Sequence, residues 1–71
     1  MAESDVERAW LIELTFSGIT SWWGFRDGIS ESFTSDPNRA IRFQRREDAE
    51  WAIALLGGHM MKAIEHAWVN R

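Results

Sequence analysis

Four arginines, Arg39, Arg42, Arg45 and Arg46, fall within eight residues and are the densest group of chemistry-bearing side chains in the sequence. A guanidinium offers a planar fork of donors that matches phosphate as well as carboxylate. The cluster is therefore a candidate for contact with a nucleic-acid backbone. Three carboxylates follow directly, Glu47, Asp48 and Glu50, and offer the same arginines partners inside the chain. An isoelectric point near 5.2 also argues against nucleic acid, whose protein partners usually carry a clearly basic field. Internal pairing is the expectation, and a nucleic-acid-associated accessory protein using these four arginines is the alternative.

Other reactive groups are sparse. His59 and His66 lie seven apart with no Cys anywhere, whereas a closed zinc site draws on four Cys or His ligands at short spacings. Nucleophilic catalysis needs an activated Ser, Cys or Lys beside an oriented base, and the sequence has no G-x-S-x-G elbow. Gly57-Gly58-His59 lacks the spacing and the Lys-Ser/Thr of a phosphate loop. Glu47, Asp48 and Glu50 read as helix-start residues rather than an acid–base pair. Eleven acids against eight bases are too balanced for a mimic of DNA. No catalytic residue, cofactor or metal ligand is expected, and the chain reads as a non-enzyme.

The elements that would carry these groups are legible in the periodicity. Trp10, Ile12, Leu14 and Phe16 alternate, as a strand with one buried face requires. Leu11 is the one apolar member of the opposite face, beside Glu13 and Thr15, and Ser17-Gly18 ends the strand. Ser21 to Phe25 reads as a second strand, Arg26-Asp27-Gly28 as a turn, and Ile29 to Phe33 as a third. Asp36 and Pro37 suit the cap and first residue of one helical turn, Pro37 to Ala40. Ile41 and Phe43 make a brief extended step. A helix opens around Glu47 and Asp48, where carboxylates favour the positive end of the dipole. Ala49, Ala52, Ile53 and Leu56 form its buried face, and Gly57-Gly58 closes it. Met61 to Val69 is the last strand. Ile64 and Trp68 lie on one face of it and Ala63, Ala67 and Val69 on the other, the pattern of an inner strand or of an edge that a partner covers. The order is β-β-β-α-β: an α+β domain with one helix on a small, mostly antiparallel sheet. Trp10, Ile12, Leu14, Phe16, Phe43, Ala49, Ile53, Leu56 and Ile64 are its expected core.

With 71 residues, there is room for one domain, expected over residues 9–71 behind a flexible acidic lead-in at 1–8. A domain this small buries only about 60% of the surface its unfolded chain exposes, and without Cys no disulfide supplements it. Five Trp and four Phe are the compensation. Residues 1–36 hold seven acids and two bases, and residues 37–71 four acids and six bases, so the two halves attract each other. The polar start lacks the basic and apolar regions of a signal peptide, and no apolar run approaches the roughly 18 residues of a membrane span. A cytoplasmic protein without membrane contact is expected.

Binding has more to draw on than catalysis. Trp51 and Leu55 are four apart on the helix, adjacent in space, and nearly opposite its buried face. Trp is a frequent interface residue, so this pair is a candidate protein-binding site. Trp22 and Trp23 join it, because successive strand residues face opposite sides and both are buried only if both faces are covered. A protein partner is expected, either a host protein or a second copy in a homodimer.

Phe33-Thr34-Ser35-Asp36-Pro37-Asn38-Arg39-Ala40-Ile41-Arg42-Phe43, Arg46-Glu47-Asp48-Ala49-Glu50 and Glu65-His66-Ala67-Trp68-Val69 stand in that order after Trp10-Leu11-Ile12-Glu13. This pattern resembles a group of short, uncharacterised phage and prophage proteins of proteobacteria, over roughly residues 9–69. Such proteins often carry a Ser or Thr helix cap where Arg45 stands. The resemblance implies a phage accessory function in the host cytoplasm. Inhibitors of host defence complexes, anti-CRISPR proteins among them, share this size, simple fold and lack of motifs.

Overall fold

The computed structural model describes residues 6–26 and 30–69. They form one helix packed on a four-stranded antiparallel sheet in the order β-β-β-α-β. The strands are β1 (Val6–Phe16), β2 (Ile19–Arg26), β3 (Ser30–Thr34) and β4 (Met61–Val69), and the helix is α1 (Arg46–Leu56). The sheet order is β3-β2-β1-β4, which makes β4 an edge strand rather than an inner one. The expected Asp27-Gly28 turn and the strand start at Ile29 lie outside the described residues.

β1 is longer than its alternation suggests. Val6, Glu7 and Arg8 pair with Val69, Trp68 and Ala67, so the expected lead-in is already strand from Val6. Partner backbone, not side-chain pattern, extends it. Residues 1–5 lie outside the described residues. β1 turns into β2 through Ser17 and Gly18, both at positive φ (53° and 77°), as a two-residue type I′ turn requires.

β1 and β2 do not stay together. Their pairing runs from Phe16↔Ile19 to Glu13↔Trp22 and stops. Beyond it the chain at Ala40–Phe43 enters the gap. The Ile41 N–H donates to the Trp23 carbonyl at 2.9 Å, and Phe43 exchanges both backbone hydrogen bonds with Trp10, at 2.8 and 2.9 Å. The extended step expected at Ile41 and Phe43 is this bridge. Gly24 makes room for it: a Cβ there would lie 2.6 Å from the Ala40 Cα and collide with the Arg39 carbonyl.

The bridge carries the chain from one face of the sheet to the other. Alternation and register put Trp10, Ile12 and Leu14 on one face with Ala63 and Met61, and Ala9 and Leu11 on the opposite face with His66 and Ile64. Trp68, across from Glu7, shares the second face. Asn38, in a short 3-10 turn at Pro37–Arg39, accepts a 2.8 Å hydrogen bond from the Trp68 indole. Arg46, which begins α1, stands 5.7 Å from the centre of the Trp10 ring. The 3-10 turn thus reaches the Trp68 face and α1 the Trp10 face. Successive residues Leu11 and Ile12, on opposite faces, are both buried, at 0% exposure.

Of the expected core, Ile12 and Ala49 are fully buried, and Trp10, Leu14, Phe43, Ile53, Leu56 and Ile64 are half-buried. Phe16 is not core. It is exposed, because the β1–β4 ladder ends at Leu14↔Met61 and the hairpin tip runs on past it. Ala9, Leu11 and Ala40 are the buried residues that the alternation left out. Asp36 caps the Asn38 N–H at 3.0 Å, as expected. Gly57, at φ 104°, ends α1 in the left-handed region that favours glycine.

Candidate functional site

Each arginine of the cluster faces a carboxylate. Arg39 is 3.8 Å from Asp36, and Arg42 is 2.7 Å from Glu7. Arg45 holds Asp48 with two hydrogen bonds, at 3.1 and 3.3 Å. Arg46 holds Glu50 at 3.0 Å. Arg45 stands at the helix cap position but makes no side-chain cap bond. It reaches forward instead, and the Asp48 hydrogen bond, then the charges of Asp48 and Glu47, raise its pKa. Three of these pairs join residues three or four apart, which local spacing explains. Arg42 is different: its partner is 35 residues away, and its guanidinium lies 3.9 Å from the centre of the Trp68 ring. It fastens the bridge to the start of β1 and to β4. Exposed pairs of this kind contribute about 0–1 kcal/mol each, so they orient more than they stabilise.

Several of the remaining polar groups are also engaged. The Trp22 indole donates to Glu13 at 3.2 Å, and Lys62 approaches the same carboxylate at 3.9 Å. Trp23 packs edge-on against Phe33, centroids 5.3 Å apart. Trp22 and Trp23 are both half-buried, each on its own face of β2. His66 lies against Trp68 at 4.5 Å, and His59 is exposed in the turn after α1. No group of three metal-capable side chains occurs among the described residues, and no pocket is present there.

The apolar surface is what stands without a partner. Trp51 and Leu55 are each 68% exposed on the outer side of α1. Phe16, Ile19 and Met60 are 62%, 69% and 61% exposed. Phe16 and Ile19 face each other across the hairpin tip. Met60 precedes Met61, whose partner Leu14 is two residues from Phe16 on the same face. Leu55 lies in the last turn of α1, which leads through Gly57-Gly58 to Met60. The structure also exposes Phe16, Ile19 and Met60, which helical spacing does not single out. A sign of this is in the sequence: Phe16 and Ile19 flank the Ser17-Gly18 turn, and a turn of two residues places its flanks at a tip.

Compared with family models, with curated proteins and with solved structures, the chain matches none. No helix of the described residues is long and apolar enough to cross a membrane.

Proposed function

We infer that this chain is a non-enzymatic protein-binding module whose contact surface is the outer side of α1 with the β1–β2 hairpin tip. The observation that carries it is the 68% exposure of both Trp51 and Leu55. Two large apolar side chains held four residues apart on a rigid helix are the kind of group that dominates interface energetics. Large apolar surface clustered in one region marks interaction sites in soluble domains. Covering a Trp and a Leu together is worth roughly 3–6 kcal/mol at about 25 cal/mol per Å², less the cost of ordering the partners. The phage resemblance supplies the narrower form of the proposal: a host protein as partner, and inhibition of a host defence complex as the outcome. An arginine-led function has less to draw on, because all four guanidiniums already face carboxylates.

The test uses a purified defence complex as bait. Wild-type protein is expected to bind and inhibit it, and Trp51→Ala with Leu55→Ala to lose both effects while keeping the wild-type circular dichroism spectrum. Equal binding by the double variant removes this surface from the function. Sub-micromolar binding of DNA or RNA with a steep salt dependence would move the function to the arginines.

A further inference from the structure

We propose that the outer edge of β4 pairs antiparallel with β4 of a second copy, joining two sheets into one of eight strands. The backbone hydrogen bonds identify the edge groups involved. Trp10 gives both its N–H and its carbonyl to Phe43, so even-numbered residues of β1 bond away from β4 and odd-numbered ones toward it. Through the register, Lys62, Ile64, His66 and Trp68 bond inward to β1. Met61, Ala63, Glu65, Ala67 and Val69 therefore direct their N–H and carbonyl groups outward. Among the described residues no strand receives them.

An open nine-residue edge is a template for another strand. It carries no bulge or proline to blunt it, and its ladder to β1 is unbroken. Its side chains select a copy of itself. A two-fold axis normal to the sheet runs the two strands antiparallel and keeps like faces together. Overlap of all nine residues would set Glu65 opposite its own counterpart, and directly opposed like charges are destabilising. Shifting the axis by one residue, to His66, removes that clash and sets His66 opposite its own counterpart. Ala63 then meets Val69 of the second copy, Ile64 meets Trp68, and Glu65 meets Ala67. Val69, 63% exposed in the single chain, gains a neighbour, and apolar residues on both faces of an edge strand acquire a purpose. A shift the other way, to Ile64, sets Lys62 against His66 and leaves Val69 outside the pairing. This surface is distinct from Trp51 and Leu55, so it stands or falls independently of the host-protein reading.

Sedimentation equilibrium of the full chain tests it, together with Ala67→Pro. That substitution deletes an outward N–H and leaves the ladder to β1 untouched, the setting in which an edge strand tolerates proline. The expected result is a dimer for wild type and for Trp51→Ala, and a folded monomer for Ala67→Pro. A wild type that stays monomeric at every concentration overturns the proposal, as does a dimer that survives Ala67→Pro or dissolves with Trp51→Ala. Should Ala67→Pro fail to fold, amide exchange of the wild type decides. Protection at Ala63, Glu65, Ala67 and Val69 that rises with protein concentration supports β4 pairing, and its absence overturns it.

Discussion

The bridge region from Asp36 to Glu50 and the outer surface of α1 with the hairpin tip both present prominent side chains to solvent, but the two are resolved differently. In the bridge region every arginine meets a carboxylate, and Arg42 also lies over Trp68. On the other surface, Trp51, Leu55, Phe16, Ile19 and Met60 meet little of their own chain. The contrast follows from how the two kinds of group are satisfied. A charge needs one counter-ion, which for three of the four arginines a residue three or four positions away supplies. An apolar side chain needs area removed from water, and a domain with one helix has no layer left to provide it. Prominent charge in a small domain is thus a weak pointer to function, and prominent apolar surface a stronger one.

The sharpest way to break this comparison is through what the bridge and its 3-10 turn cover. Leu11 is fully buried on the Trp68 face, so Leu11→Ala should cost about 2–5 kcal/mol in a denaturant melt. A loss under about 1 kcal/mol would be the value for a surface site and would mean that the Trp68 face is not a packed layer. Gly24→Ala comes next. Its Cβ would strike the Arg39–Ala40 backbone, and overpacking of this kind costs about 1–3 kcal/mol. A smaller change would show that the bridge moves aside freely.

Arg42→Ala should have a moderate effect of about 1–2 kcal/mol, the sum of an ion pair and a cation–π contact in a partly exposed setting. Added salt should shrink the difference, because part of it is screened charge. If Arg42→Ala leaves stability unchanged but abolishes binding of a partner, the bridge is a binding region after all and the contrast fails. Trp51→Ala should have the smallest effect on the fold, within about 0.5 kcal/mol of wild type. A Trp51→Ala protein that unfolds would place the residue in the core and end the interface reading.

Several of these features are legible in residue order alone. The strand at Trp10 to Phe16, the helix with Ala49, Ala52, Ile53 and Leu56 inside, the Asp36 cap and the Gly57 stop are local, since each rests on spacing within a few residues. From them follow the β-β-β-α-β order and the exposure of Trp51 and Leu55, because a helix over one sheet hides one side only. Internal pairing of Arg45 and Arg46 was equally readable from their i+3 and i+4 acids. What the tertiary structure alone decided depends on chain segments far apart in sequence. Strand order made β4 an edge, which no pattern within β4 distinguishes from a centre. The parting of β1 from β2 admitted Ala40–Phe43, and Leu11, which alternation assigns to a mostly polar face, is fully buried once the distant segments come together. Phe16 fits the alternation but sits beyond the last residue that β4 reaches, so it is exposed. Periodicity reports which side of a strand a residue takes; whether anything lies over that side is a matter of where the rest of the chain arrives.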